Sequence, residues 1–163
     1  RAAETCQLTG SNFYPYINRN AFTILFNSGP VENNARLLGW GNGGTNLGQI
    51  LPSTNFPYVN NYNQAGSQSI NFGTVRDTDG SLLQATAYAE NDFAGQSRGR
   101  QKLGLGPSTS SGPCPVTNLG TTQGIKFCGY TFNSGNNTTK VHIKSLAIYS
   151  ERLTNEQLEA ITK

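Results

Sequence analysis

The stretch Ala21-Phe22-Thr23-Ile24-Leu25-Phe26 indicates most directly which kind of fold the chain adopts. Its large apolar residues Phe22, Ile24 and Phe26 recur at every second position, so an extended chain places all three on one face. The residues between them take the other face. The alternation therefore predicts a β-strand whose apolar face, formed by Phe22, Ile24 and Phe26, lies in a core.

The same alternation recurs along the chain between clusters of residues that favour turns. Residues 83–90 place Leu83 and three alanines on one face and mostly polar residues on the other. Glycine, Asn, Ser and Thr are frequent between such segments, which favours turns and short strands over helices. The pattern predicts an all-β fold, a two-sheet antiparallel jelly-roll sandwich. Further strands are predicted at residues 36–38, 69–75, 101–105, 125–132 and 141–149.

The last of these strands changes the parity of its apolar residues. Leu146 and Ile148 share one face and are predicted to lie in the core, whereas Ile143 is out of step with them. An extra residue in the strand would restore the alternation, so we expect a β-bulge near Lys144 or Ser145.

A short helix is predicted at the C-terminus. Thr154 followed three positions later by Gln157 forms a capping box at the start of a helix over Asn155–Ile161. Leu153 and Leu158 occupy the two positions of a hydrophobic staple. Because the helix has only about two turns, it needs packing against the sandwich to be stable.

The length of 163 residues fits one domain, and no linker or repeat divides the chain. Residues 1–163 are therefore predicted to form a single jelly-roll domain. Methionine is absent, so we expect this domain to be the C-terminal part of a longer or processed protein.

The charge distribution argues against two classes of partner. The net charge of +3 comes from 12 basic residues scattered among 9 acidic ones, and no basic run offers a nucleic-acid patch. No apolar stretch approaches the roughly 20 residues of a membrane helix.

The three cysteines, Cys6, Cys114 and Cys128, match no zinc pattern. Either buried thiols or a bridge between Cys114 and Cys128 would explain them.

The segment Ile143-Lys144-Ser145-Leu146-Ala147-Ile148-Tyr149, together with residues 150–158, resembles the closing strand and short helix of concanavalin-like and laminin-G-like jelly rolls. Residues 84–94, with the sequence Gln84-Ala85-Thr86-Ala87-Tyr88-Ala89-Glu90-Asn91-Asp92-Phe93-Ala94, resemble a strand and hairpin of C-terminal domains in phage structural and tail-fibre proteins. Residues 1–13 and 158–162 resemble the opening and the end of the same domains. The resemblance therefore spans nearly the whole chain in order.

This resemblance implies a structural module of the virion, in a tail fibre or another exposed appendage. The implied partners are other virion proteins, further copies of the chain in a trimer, and a glycan of the host surface. A capsid decoration or head-fibre domain is one alternative, and a polysaccharide depolymerase is another. Where phage domains of this kind often have small residues, Arg98 and Arg100 place two cations at a turn.

No catalytic grouping can be recognised in the sequence, so we expect no enzymatic activity and no cofactor. The single His142 lies in a strand-like run, and no nucleophile, zinc or nucleotide motif accompanies it. Glu90 and Asp92 form an acidic pair, but two carboxylates this close before a turn are more typical of a hairpin end than of a glycosidase cleft.

The segment Asp77-Thr78-Asp79-Gly80 has two interpretations. Alternate oxygen ligands followed by glycine resemble the beginning of a calcium loop, but the bidentate Glu expected further on is missing. A β-turn explains all four residues, and we predict no metal site. Calcium binding near Asp77 and Asp79 is left open by the sequence.

Aromatic and amide residues supply the best candidates for a binding site. A flat ring can cover the apolar face of a sugar, while amides and guanidinium groups bond its hydroxyls. The sequence suggests that these residues lie in loops. The alternative is that Trp40 fills the core and that the Tyr/Asn stretch is an ordinary loop or a subunit contact. The candidates are Trp40, Tyr58, Asn60, Asn61 and Tyr62, followed by Arg98 and Arg100.

Overall fold

A computed structural model of the chain describes residues 6–8, 12, 18, 21–31, 37–41, 47–52, 57–63, 66–71, 79–89, 92–98, 125–127 and 142–163. These residues include ten strands and a C-terminal helix, α1 (Asn155–Ile161). The strands are β1 (Cys6–Leu8), β2 (Ala21–Ser28), β3 (Leu38–Gly41), β4 (Leu47–Pro52), β5 (Pro57–Asn63), β6 (Gly66–Asn71), β7 (Leu82–Ala89), β8 (Asp92–Ser97), β9 (Ile125–Phe127) and β10 (Ile143–Tyr149).

The strands form two antiparallel sheets, as the sequence predicts. One sheet has six strands in the order β1-β9-β3-β4-β5-β6, and the other has four in the order β10-β2-β7-β8. Strands distant in sequence are neighbours in both sheets, and the chain is an all-β sandwich that ends in a short helix. None of the helices described is long and apolar enough to cross a membrane.

The central strands of the four-stranded sheet are buried on both faces. Phe22, Ile24 and Phe26 are at most 1% exposed, which confirms their predicted place in the core. Gln84 and Thr86 are also fully buried, although the alternation of β7 suggests a polar, solvated face there. The reason is tertiary: β7 lies between two other strands and has a layer packed on each side.

The prediction for the last strand holds in part. Leu146 pairs with Phe26 and Ile148 pairs with Ile24, yet both residues of β10 remain half-buried and not fully buried in the core. β10 has a neighbour on one side only within the described sheet, so less of its surface is covered. The register of β10 against β2 shifts after Ile143, which confirms the bulge expected near Lys144.

The six-stranded sheet has one row of apolar residues that crosses every strand. Leu38, which is fully buried, pairs with Ile50 on one side and with Phe127 on the other. Paired residues share a face of the sheet, so this face is turned to the core. The complete row is Cys6, Phe127, Leu38, Ile50, Val59 and Ile70.

Several strand predictions need correction. The segment Pro57–Asn63 is strand β5, and Trp40 lies in strand β3, so the aromatic and amide candidates do not lie in loops. Asn and Pro are poor strand formers, and the pairing of β5 with β4 and β6 overrides that local preference. The strand predicted at 69–75 is β6, which begins earlier, at Gly66. Residues 72–75 and the strand predicted at 101–105 lie outside the described residues.

The C-terminal helix covers the small-residue face of the four-stranded sheet. Thr154 N–H donates to Gln157 Oε1 at 2.7 Å and Gln157 N–H donates to Thr154 Oγ1 at 3.3 Å, so the predicted capping box is present. Leu153 and Leu158 are buried against the sheet's alanines, which leave room for a helix to approach. The alanines in this cluster are Ala85, Ala87 and Ala94.

A threonine of the central strand fixes the segment that leads into this helix. Thr23 Oγ1 donates to the backbone carbonyl of Glu151 at 2.9 Å and accepts from the N–H of Leu153 at 2.9 Å. Thr23 lies on the face of β2 opposite to Phe22 and Ile24 and is fully buried. One side chain therefore satisfies the hydrogen bonding of two backbone groups in the segment between β10 and α1.

Candidate ligand-binding face

The face of the six-stranded sheet opposite to Leu38, which we call its outer face, carries a row without large apolar residues. Gly39 in this row is buried. Asn60 of β5 pairs with Gln49 on one side and with Ser69 on the other. Each of these residues is one position from the apolar row, so the alternation of strands places it on the opposite face. The complete row is Gln7, Lys126, Gly39, Gln49, Asn60 and Ser69.

Two tyrosines lie on the same face of β5, on either side of Asn60. Tyr58 and Tyr62 are each two residues from Asn60, and the period of a strand therefore puts all three on one face. The two tyrosines are four positions apart, which is about 13 Å along a strand at roughly 3.3 Å per residue. Tyr58 pairs with Asn71 and with Leu51, and Tyr62 pairs with Ser67 and with Leu47, so each has one polar and one apolar neighbour in the sheet.

Trp40 and Asn61 occupy the other face of the sheet. Trp40 pairs with Gly48, and Gly48 pairs with Asn61, so all three share a row. This row lies on the same side as buried Leu38, which is two residues from Trp40. The five aromatic and amide candidates therefore divide into two groups, Tyr58, Asn60 and Tyr62 outside and Trp40 and Asn61 on the core side.

The basic candidates belong to a different part of the molecule. Arg98 follows the end of β8 in the four-stranded sheet, is half-buried, and donates its backbone N–H to the carbonyl of Leu83 at 3.0 Å. Arg100 lies outside the described residues. The structure does not bring Arg98 into the sheet that carries Tyr58 and Tyr62.

The described part of the Asp77–Gly80 segment forms a tight turn. Asp79 Oδ1 accepts from the N–H of Ser81 at 2.9 Å, and Gly80 adopts a φ of 80°, which glycine tolerates without strain. Hydrogen bonds from the Ser81 hydroxyl and N–H hold the pKa of the Asp79 carboxyl below its usual value of 3.8. The turn interpretation accounts for Asp79 and Gly80, and Asp77 lies outside the described residues.

The other residues considered for chemistry are separated in the structure. His142 is exposed, and its backbone carbonyl accepts from the N–H of Gly29 at 2.7 Å. Asp92 pairs with Ala89 at the start of β8, as expected for a hairpin, while Glu90, Cys114 and Cys128 lie outside the described residues. Within the described ranges, no three His, Cys, Asp or Glu side chains are grouped as metal ligands would be.

The sequence matches no protein-family model and no curated protein. Its structure, in contrast, is similar to many solved structures. CBM40 of the Ruminococcus gnavus IT-sialidase, solved with α2,3-sialyllactose bound, superposes with a TM-score of 0.71 at 11% identity, over 98% of this chain and 96% of that one.

Two further likenesses come from larger proteins. The leech intramolecular trans-sialidase superposes with a TM-score of 0.72 at 12% identity, over 97% of this chain and 26% of that one. Domains LG4–5 of the mouse laminin α1 chain give a TM-score of 0.60 at 8% identity, over 85% of this chain and 38% of that one. These likenesses confirm the predicted jelly-roll fold.

Proposed function

We propose that the domain binds a glycan without cleaving it, through the outer face of β5. The observation that carries the proposal is the alignment of Tyr58, Asn60 and Tyr62 on one face of this strand, beside the polar positions Gln49 and Ser69. Flat rings that alternate with amides are the chemistry that sugars require, because a pyranose has an apolar face and an edge of hydroxyls. The likeness in fold to a CBM40 solved with sialyllactose supports this proposal.

The charges of the sheet favour binding over hydrolysis. A glycosidase normally uses two carboxyl groups across the scissile bond. None of the six strands of this sheet, as the structure describes them, contains Asp or Glu, and Lys126 is their one charged residue. A face of this composition has hydrogen-bonding capacity but no group for acid–base work, and it suits a neutral or acidic glycan.

For the biological setting, we propose an exposed appendage of a phage virion, in which the domain assembles as a trimer with other virion proteins. The support is the resemblance of residues 84–94 and of the two ends of the chain to C-terminal domains of phage structural and tail-fibre proteins. Symmetric assembly would repeat the β5 face three times, and several weak sites would then act together through avidity.

A glycan array probed with the purified domain tests the binding proposal, and light scattering on the same sample tests the trimer. We expect selective binding to a set of related glycans and a mass three times that of the chain. Release of reducing ends from host polysaccharide would overturn the non-enzymatic interpretation, and the mass of a monomer would overturn the trimer. Negative-stain images of labelled particles would then distinguish a tail appendage from a capsid decoration.

A further inference from the structure

Three polar side chains lie in the core-facing side of the four-stranded sheet, where apolar residues are expected. Ser28, Gln84 and Thr86 are each 0% exposed. Four of their atoms, the two hydroxyl oxygens and both polar atoms of the Gln84 amide, have no hydrogen-bond partner in the described part of the chain. The same face carries Phe26 and Leu82, both at most 1% exposed, and Ser97 of β8 pairs with Gln84.

The register of β2 and β7 makes these three residues neighbours. Gln84 pairs with Phe26, and Ser28 pairs with Leu82, so Ser28 is the diagonal neighbour of Gln84. Thr86 is two positions from Gln84 on the same strand and therefore on the same face. Diagonal Cβ atoms are about 7–8 Å apart, and no hydrogen bond joins these side chains in the described part of the chain.

Leaving these atoms unpaired is energetically costly. A buried donor or acceptor that loses its contact with water without gaining a partner costs its full desolvation energy. Four such atoms together would consume a large part of the marginal stability of a domain this size. Buried polar groups in folded proteins are accordingly paired, with ordered water where no protein group is in reach.

We propose that ordered water is bound inside the sandwich at Gln84 and links its amide to the hydroxyls of Ser28 and Thr86. Water fits the chemistry of the site because the Gln84 amide has an NH₂ group that donates and a carbonyl oxygen that accepts, and each hydroxyl can do both. All three side chains are uncharged, which does not suit a metal ion or an ionic ligand. Gly95 of β8 pairs with Thr86 and adds no side chain beside it.

Magnetic relaxation dispersion of water oxygen-17 tests this proposal, because it counts water molecules held inside a protein in solution. We expect at least one long-lived water in the wild-type domain and its loss in Gln84→Met, which keeps the side-chain volume but cannot hydrogen-bond in the same way. The control is Thr23→Val, on the other face of β2, which should retain the signal. No long-lived water in the wild type, or an unchanged count in Gln84→Met, would overturn the proposal.

A double-mutant cycle gives a second measurement. If water connects the groups, the effects of Gln84→Met and Thr86→Val on the unfolding equilibrium constant should be coupled by several-fold, since either change disturbs the shared water. Gln84→Met combined with Thr23→Val should be additive. Additive effects in both pairs would contradict a shared water. Should Gln84→Met fail to fold, Thr86→Val takes its place in the dispersion measurement, and a water count equal to that of the wild type would overturn the proposal.

Discussion

Thr23 shows how one side chain can connect distant parts of this chain. Its hydroxyl bonds the carbonyl of Glu151 and the N–H of Leu153, and both contacts are lost in Thr23→Val, which has nearly the same shape. We expect this variant to lose about 1–3 kcal/mol of unfolding free energy, the usual cost of leaving buried backbone groups unpaired.

Urea unfolding measures this loss, with Thr23→Ser as the control that retains the hydroxyl. Thr23→Ser should lose less, because only a methyl group is removed. A Thr23→Val variant as stable as Thr23→Ser would show that the two hydrogen bonds do not hold the C-terminal segment on the sheet.

Asp79 gives the domain a dependence on acid pH. Since hydrogen bonds from Ser81 lower the pKa of this carboxyl from 3.8, its ionised form is favoured in the folded state. The resulting stabilisation is present above the unfolded pKa and is lost as the pH falls through the lower, folded pKa.

The melting temperatures of the wild type and Asp79→Asn, measured from pH 7 down to pH 2, test this linkage. We expect the wild type to melt higher at neutral pH and the difference to shrink as the pH falls below the normal range of Asp titration. A difference that stays constant over the whole range would mean that the Asp79 charge does not stabilise the turn.

The C-terminal helix depends on its cap. Thr154→Ala removes the side chain that accepts the N–H of Gln157, and the loss of an N-cap costs about 1 kcal/mol. We expect this decrease in unfolding free energy without a change in glycan affinity, because α1 packs on the four-stranded sheet. Thr154→Ser is the control, since it retains the capping oxygen. An unchanged stability in Thr154→Ala would indicate that the capping box does not form.

Packing beneath α1 should contribute more to the unfolding free energy of the domain than the N-cap of this helix does. Leu158 is fully buried and contacts the cluster that contains Ala85 and Ala87. Leu158→Ala should lower the unfolding free energy by about 2–5 kcal/mol, because it removes buried apolar atoms and leaves a cavity. Calorimetric melting measures the effect, and exposed Ala160→Ser serves as the surface control. Equal melting of the two variants would mean that the helix is not docked.

The elements that sequence alone predicts best are those in which one physical signal dominates. The alternation of Phe22, Ile24 and Phe26 needs no partner to be recognised, and the capping box at Thr154 is local. Strand β5 could not be recognised in this way, because Asn60 and Asn61 have a low preference for strands. The strand is stabilised by its pairing with β4 and β6, which its own sequence does not reveal. The burial of Gln84 also could not be predicted from β7, because the residues that cover Gln84 come from other parts of the chain.

The candidate binding site could likewise be predicted from the sequence only in part. Composition identified Tyr58, Asn60 and Tyr62 together with Trp40 and Asn61, but it could not assign them to faces. The period of two within β5 contains that information once the segment is recognised as a strand. The separation of Asn60 from Asn61 is therefore a consequence of the sheet, and a one-residue difference in register would reverse it.

The two sheets of the molecule differ in the packing and composition of their faces. The central strands β2 and β7 of the four-stranded sheet are covered on one side by the core and on the other by α1 and the segment before it. The six-stranded sheet has an apolar row on one face and a polar row on the other. We therefore expect the four-stranded sheet to act as the scaffold and the outer face of the six-stranded sheet to meet the ligand.

The most direct test of this assignment compares adjacent residues on opposite faces of β5. Once a glycan array has supplied a ligand, titration calorimetry would measure its affinity for Asn60→Ala, Tyr62→Ala and Asn61→Ala, with melting temperatures recorded to confirm folding. Tyr62→Ala should weaken binding about tenfold or more, because burying a ring face contributes on the order of 1.5–3 kcal/mol. We predict that Asn60→Ala also weakens binding and that folded Asn61→Ala binds like the wild type; the reverse, with Asn60→Ala and Tyr62→Ala silent and Asn61→Ala impaired, would contradict a site on the outer face of the sheet.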